Sequence, residues 1–166
     1  MTRKQDLPRL EQCRERALTL VSQRPHTRAQ LRTKLLRKGF ANDDIEQVVE
    51  DFIRTGLVDD RRLAFDYCQY MKSASPPVGR NRVIAKLRSY GVAPDLIQEA
   101  ILAVWDAAGD DEEVKRATAA AGSKLRLIRD KSDPKKVREK LYRFLAGKGF
   151  AGAVCSRAIE AAQTEE

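Results

Sequence analysis

The sequence has few of the residues that build catalytic sites, metal sites or membrane spans. Its 166 residues include one histidine, His26, and three cysteines, Cys13, Cys68 and Cys155. The cysteines are odd in number and widely spaced, with no C-x-x-C pair, so we expect neither a disulfide framework nor a zinc site. No run approaches the roughly 18 consecutive apolar residues of a membrane span, and the first residues lack the apolar segment of a signal peptide. We therefore expect a cytoplasmic protein without membrane contact or cofactor.

Enzyme motifs are also missing. Neither a G-x-G-x-x-G run nor a G-x-x-x-x-G-K-[ST] run occurs, so nucleotide binding has no support. His26 lies beside Pro25, directly before a predicted helix start, and we expect it to be structural. The adjacent pair Asp59 and Asp60 is expected to begin a helix, where carboxylates favour the positive end of the helix dipole. These absences predict a protein that is not an enzyme.

What the sequence does contain is one pattern written three times. A leucine is followed four residues later by glycine and then by an apolar residue, as Leu35-x3-Gly39-Phe40, Leu87-x3-Gly91-Val92 and Leu145-x3-Gly149-Phe150. Each copy ends a basic run, and a second apolar run with helical spacing follows it. Internal repetition at about 50 residues is typical of arrays of small helical units. Such an array offers a surface for binding rather than a pocket.

Signals for helix ends agree with this interpretation. Thr27 and Gln30 form a capping box at a helix start, and Asp133-Pro134 and Pro94 suit the first positions of two further helices. The three repeated glycines suit the left-handed position that ends a helix in a Schellman motif. A further amphipathic helix precedes each pair. The sequence thus predicts an all-α fold, an elongated and curved array of about nine helices in three tandem three-helix repeats, at 7–57, 58–108 and 109–163.

Charge alternates in step with the repeat. The net charge is +8 and the isoelectric point is about 9.6. Successive segments ending at residues 40, 66, 91, 113, 149 and 166 carry +8, −5, +5, −7, +9 and −2. The run before each repeated glycine is therefore basic, while the run after it is acidic. Rows of cations can contact phosphates or an acidic protein groove.

A helix-turn-helix reader of DNA is disfavoured by the same distribution. In that motif the helix after the tight turn enters the major groove. Here the helix after the first turn carries Asp43, Asp44, Glu46, Glu50 and Asp51. An acidic helix is unsuited to a groove lined by phosphates, so the basic helices before each turn are the candidate contact elements.

Four segments resemble the signatures of a known family, the RecX regulators of the bacterial RecA recombinase. They are the run from Arg24 to Leu35, the run from Gly56 to Ala64, the run from Gly79 to Leu87 closed by Gly91-Val92, and, more loosely, the run from Leu141 to Phe150. The resemblance spans about residues 9 to 162. Gln30 and Lys86 stand where the family often has glutamate, which makes the first two basic helices more basic still.

The resemblance implies a fold and a role. The implied fold is a set of tandem three-helix repeats. The implied role is binding to the filament that RecA forms on single-stranded DNA, with inhibition of ATP hydrolysis, strand exchange and coprotease activity, and hence regulation of recombination, DNA repair and the SOS response. We expect a monomer. The candidate contact residues are basic: Arg28, Arg32, Lys34, Arg37, Lys38, Arg61, Arg62, Lys72, Arg80, Arg82, Lys86, Arg88, Lys136, Lys140 and Arg143.

Two other functions fit the residues. One is a general nucleic-acid-binding helical module that acts without RecA. The other is a helical adaptor between proteins whose charge serves only solubility. Phosphate binding weakens steeply as salt rises, so salt dependence separates these two alternatives.

Overall fold

The computed structural model describes residues 8–105, 109–129 and 132–164. These residues form nine α-helices and no strand, as the sequence predicted. The helices are α1 (Arg9–Gln23), α2 (Arg28–Leu36), α3 (Asn42–Arg54), α4 (Asp60–Lys72), α5 (Arg80–Ser89), α6 (Pro94–Val104), α7 (Asp110–Arg126), α8 (Pro134–Gly147) and α9 (Gly152–Thr164).

The helices form three units of three, each with its own core. The first unit is α1 to α3, the second α4 to α6 and the third α7 to α9, and the extensive helix–helix packing lies within units. The three apolar clusters follow the same division. Val58, which the sequence places at the start of the second repeat, packs in the first core.

The described residues pack as separate small cores rather than one large core. Extensive helix–helix packing occurs only within the units, and each unit has its own apolar cluster. The fold is therefore an array of helical units.

Each middle helix ends in the predicted Schellman turn. Gly39, Gly91 and Gly149 have φ of +82°, +77° and +88°, the left-handed region that only glycine adopts without strain. The amide of the next residue donates back to the repeated leucine carbonyl at 3.4, 3.2 and 3.2 Å respectively. We call the three-residue segments centred on these glycines, residues 38–40, 90–92 and 148–150, the glycine turns.

Helix starts were also predicted from local sequence. The Thr27 capping box is present, with the Thr27 hydroxyl accepting from the Gln30 amide at 3.1 Å. Asp59 and Asp133 cap α4 and α8, and Pro94 begins α6. These local hydrogen bonds satisfy amides that a helix start leaves without partners.

Consecutive units are joined in one repeated way: the first turn of a middle helix docks on the glycine turn of the next unit. At the first joint, between the first and second units, the Thr27 hydroxyl donates to the Tyr90 carbonyl. The Arg28 amide donates to the Asp60 carboxylate at 2.8 Å. A Cβ on Gly91 would overlap the Cβ of Ala29, so glycine is needed here for close approach as well as for its φ.

The second joint, between the second and third units, repeats this arrangement. The amides of Gly79 and Asn81 donate to the carbonyls of Lys148 and Gly149 at 3.0 and 3.1 Å. The Arg80 amide donates to the Glu113 carboxylate at 3.0 Å. Each joint thus brings donors of a helix start to turn carbonyls, through the Thr27 hydroxyl at the first joint and through two amides at the second. Each also adds one carboxylate from the first helix of the following unit.

The third unit departs from the pattern at its own middle helix. The N-terminal cap of α8, Asp133, lies sixteen residues before Gly149, whereas Thr27 and Gly79 lie twelve before their glycines. Helix α8 is therefore one turn longer at its start. Its first residue is Pro134, which has no amide hydrogen, and the amides of the next two residues donate to Asp133.

Candidate interaction surface

Six of the predicted contact cations are exposed, and no ion pair engages them in the part of the chain that the structure describes. They come from all three middle helices and their turns: Arg28, Arg37, Lys38, Arg88, Lys140 and Arg143. Exposed cations without an ion pair are the side chains that a phosphate or a carboxylate can engage at least cost, because no existing pair has to break.

A second group of predicted residues forms exposed contacts. Four of them pair with carboxylates on the surface: Arg32 with Glu46, Arg61 with Glu99, Arg62 with Asp66 and Lys136 with Asp133. Arg82 reaches the Gly147 carbonyl at 3.3 Å, and the Lys86 ammonium lies 4.9 Å from the centre of the Tyr90 ring. Exposed pairs contribute about 0–1 kcal/mol, so a partner can displace them.

The remaining three predicted residues make internal contacts. The Lys72 ammonium donates to the Val104 carbonyl at 2.8 Å and pairs with Glu112 at 3.1 Å. The Arg80 guanidinium pairs with Glu113 at 3.4 Å. Both residues therefore connect the second unit to the third. Lys34 donates to His26 at 2.8 Å within the first unit.

His26 is a structural residue in this fold, as the sequence indicated. Its side chain is 3 % exposed. Nδ1 lies 2.8 Å from the Arg24 carbonyl, which can only accept, so Nδ1 carries the proton and Nε2 accepts from Lys34. Burial lowers the pKa of His26 below its usual value, with Lys34 and Arg24 adding to the decrease. The neutral imidazole of His26 therefore holds in place the residues that lead into α2.

An aromatic cleft of about 500 Å³ lies beside the first joint. Three of the four tyrosines line it: Tyr67, Tyr70 and Tyr90. Tyr67 and Tyr90 meet edge to face with ring centres 5.9 Å apart, while Tyr70 is 70 % exposed. The sequence interpretation missed this cleft because its two walls come from different units.

Arg116 is a structural residue that sequence reasoning missed. Its guanidinium donates to the carbonyls of Met71 and Val78 at 3.3 and 3.0 Å and lies 5.2 Å from the ring centre of Trp105. Burial lowers the pKa of Arg116. It holds the segment between α4 and α5 against α7, and so braces the second joint. Its place in a weakly amphipathic alanine-rich helix gave no sequence signal for this role.

Arg138, in the basic run that the sequence predicts as a contact helix, occupies a position that recurs in all three copies. It lies eleven residues before Gly149, just as Arg28 and Arg80 lie eleven residues before the repeated glycines of their own units. Its side chain is exposed and lies 3.3 Å from Glu160. Aligning the three copies on their glycines, rather than reading each helix separately, reveals this repeated arginine.

The three cysteines and the histidine are buried in this fold. The described residues contain no group of three or more histidine, cysteine or acidic side chains that could hold a metal ion. Burial raises the pKa of the Cys13 and Cys68 thiols to about 11, so both are protonated and poor nucleophiles near neutral pH. Among these helices none is long and apolar enough to cross a bilayer.

Comparison with known families and proteins identifies relatives with this architecture. The family model described as the first three-helix domain of RecX matches residues 13–52, and the model of the third three-helix domain matches residues 110–159. The regulatory protein RecX of Pelodictyon phaeoclathratiforme is 35% identical over 134 residues, which cover 81% of this chain and 78% of that protein. That of Mycobacterium marinum is 31% identical over 153 residues, covering 91% and 84%.

Solved structures match the whole array. The crystal structure of RecX from Lactobacillus salivarius superposes with a TM-score of 0.79 over 94% of this chain and 97% of that one, at 21% identity. A second crystal structure, of regulatory protein RecX, gives a TM-score of 0.81 over 92% of this chain and 73% of that one, at 19% identity. At such low identity, these likenesses establish the fold.

Proposed function

Because the chain belongs to the RecX family, we propose that it is a non-enzymatic modulator of the RecA recombinase. In this proposal it binds the filament of RecA on single-stranded DNA and blocks filament extension. ATP hydrolysis, strand exchange and coprotease activity fall as a result, so the protein regulates recombination, DNA repair and the SOS response. It acts in the cytoplasm as a monomer.

The observation that carries this proposal is the repeated joint. Both joints use a helix first turn, a glycine turn and one carboxylate, so each unit is attached to the next by equivalent contacts. The one position that is cationic in all three middle helices, held by Arg28, Arg80 and Arg138, therefore recurs once in each unit along the array. A partner that itself repeats along an axis, and that contains nucleic acid, matches such a surface.

The exposed cations without ion pairs also support the alternative, a general nucleic-acid-binding module. Their side chains can engage phosphates whether or not a recombinase is present. The two functions differ in what the protein prefers: a modulator binds the assembled filament more tightly than bare single-stranded DNA, whereas a general module does not.

The direct experiment adds the purified protein to RecA on single-stranded DNA at substoichiometric ratios. We expect ATP hydrolysis and strand exchange to decrease, since one bound array blocks growth of a filament of many subunits. No effect on either activity, with filaments confirmed by microscopy, would contradict the proposal. Equal affinity for filament and bare DNA would favour the general module.

A charge-reversal variant tests the contact surface. It carries one glutamate within or directly after each middle helix, at an exposed cation without an ion pair: Arg37→Glu, Arg88→Glu and Arg143→Glu. The control reverses three exposed cations on first and third helices: Arg54→Glu, Lys115→Glu and Arg126→Glu. Both variants change the net charge equally, so nonspecific attraction changes equally.

We expect the first variant to lose filament binding and the control to retain most of it. The slope of log affinity for single-stranded DNA against log salt should also fall by about one for each phosphate contact removed. Circular dichroism must show the same helix content in both. Equal loss of binding in the two variants would mean that net charge, rather than the middle helices, carries the interaction.

A further inference from the structure

The first unit has a glycine turn on which nothing in the described part of the chain docks. In the second and third units, the turn receives the first turn of the preceding middle helix, so Gly91 faces Ala29 and Gly149 faces Arg82. A Cβ on Gly39 would meet no described atom within 4 Å. The first unit thus presents the same surface that the other two units use for binding, and no described residue covers it.

A groove of about 300 Å³ lies beside this turn. We call it the first-unit groove; its lining residues are Gln12, Glu15, Arg16, Thr19, Lys38 and Phe40. Arg16 and Thr19 lie three and six residues after the first buried apolar residue of α1. Tyr67 and Tyr70 lie three and six residues after the first buried apolar residue of α4, so they are the corresponding residues of the second unit. Those tyrosines line the cleft where the first unit docks. The groove is therefore the equivalent docking surface.

The charge of this surface is inverted relative to the other two units. Asp60 and Glu113, which accept the helix amides at the two joints, each lie four residues before the first buried apolar residue of their helix. The first unit has Arg9 at that position. Arg16 and Lys38 in the groove are also basic, and Glu15 is the one acid in the lining.

Arg16 carries a second signal. Its Nε atom is buried and has no hydrogen-bond partner among the described residues. Buried polar groups are normally satisfied, so an acceptor supplied from outside would complete this site. First turns of helices are enriched in aspartate and glutamate, and such a turn would bring a carboxylate to the cationic residues of this surface.

We propose that the first-unit groove and the Gly39 turn bind the first turn of an α-helix of the partner protein. That helix has a carboxylate in its first turn and a small side chain where it approaches Gly39. The proposal rests on the proposed function and takes the partner to be a recombinase subunit of the filament. It assigns protein contact to the first-unit groove, including Lys38, and leaves the other exposed cations of the middle helices for phosphates.

A second copy of this chain is a poorer occupant. Among the described residues, the undocked middle helix is α8, whose first residue is Pro134 and whose next two residues are Lys135 and Lys136. Proline has no amide hydrogen, so it cannot make the hydrogen bond that the Arg28 and Arg80 amides make at the joints. The two lysines would also approach a surface that is already basic.

The substitution Gly39→Asn tests this proposal. Asparagine tolerates the left-handed region, and its side chain would fill the docking surface without displacing any described atom. The matched control is Gly56→Asn. Gly56 has φ of +73°, a Cβ there would likewise meet no described atom within 4 Å, and the residue follows α3 rather than a middle helix. The two variants therefore carry similar backbone strain.

We expect Gly39→Asn to weaken binding to RecA filaments by at least about tenfold, with Gly56→Asn close to wild type. Binding to bare single-stranded DNA should be unchanged in both. Wild-type affinity of Gly39→Asn for the filament would overturn the inference while leaving the proposed function intact. Failure of the wild-type protein to bind filaments would contradict the proposed function instead.

A photo-crosslinking amino acid at Lys38 identifies the occupant. In the presence of filaments, we expect the crosslink to lie in the first turn of a recombinase helix near an acidic residue. Crosslinks to DNA, or to a second copy of this chain together with concentration-dependent association in sedimentation velocity, would refute the assignment to a partner helix.

Discussion

The substitution Gly149→Ala should uncouple the second unit from the third. At φ of +88°, alanine costs about 1–2 kcal/mol more than glycine in the left-handed region. Its Cβ would also lie within 2.5 Å of the backbone nitrogen of Arg82, so the first turn of α5 has to move away. The hydrogen bonds from Gly79 and Asn81 to the turn would then be lost, at about 0.5–1.5 kcal/mol each.

These contributions predict a total loss of about 2–5 kcal/mol in the free energy of unfolding. Gly39→Ala is the reference, since its φ of +82° is similar and its Cβ would meet no described atom within 4 Å. It should lose only the strain, about 1–2 kcal/mol. Urea unfolding followed by circular dichroism measures both. Trp105, the single tryptophan, lies beside the second joint and reports that joint by fluorescence.

A rescue at the first joint checks the same reasoning independently. In Gly91→Ala the new Cβ overlaps that of Ala29, and adding Ala29→Gly removes the overlap at a helix cost of about 1 kcal/mol. The double variant should therefore lose less stability than the sum of the two single variants. Equal losses for Gly149→Ala and Gly39→Ala, within about 0.5 kcal/mol, together with simple additivity at Gly91, would refute the role of the glycine turns in docking.

Two further predictions concern buried groups. Burial lowers the pKa of His26 below 6.5, so the unfolded chain binds the proton at a higher pH than the folded chain does. His26 should therefore add stability above about pH 6.5, and this contribution should decline as pH falls toward the lowered pKa. His26→Gln should remove that part of the pH dependence of urea unfolding, and an unchanged profile would contradict the prediction. Arg116→Met should lower the free energy of unfolding by about 1–3 kcal/mol, because two hydrogen bonds are lost. It should also shift the Trp105 fluorescence emission to longer wavelength. The exposed control Arg126→Met should do neither.

Features of the fold that depend on neighbours in sequence were predictable. The Thr27 capping box, the Asp133 cap and the glycine turns each use hydrogen bonds within about six residues, so the sequence pattern contains all the groups involved. The joints were not predictable in this way. Nothing near Gly91 in sequence indicates that Ala29 will approach it from another unit.

The same distinction applies to the candidate surface. Cationic residues could be found from the sequence, but their partners could not, because a charge in a helix does not specify which carboxylate or carbonyl will face it. Lys72 and Arg80 therefore looked equivalent to Arg88 and Lys140, although the first two connect the second and third units. Reversing Lys34 or Arg80 would disturb internal contacts, so such variants cannot isolate partner binding.

The extra turn at the start of α8 determines where further units could be added to the array by protein engineering. A unit copied from the middle of the chain has both a glycine turn that accepts and a helix start that donates, so a duplicate of α4 to α6 could be spliced in next to the original. A unit fused after α9 would have to dock on the start of α8, where Pro134 has no amide hydrogen and the next two amides already donate to Asp133. Array length is thus adjustable by internal duplication, while extension at that end would first require α8 to be shortened by one turn.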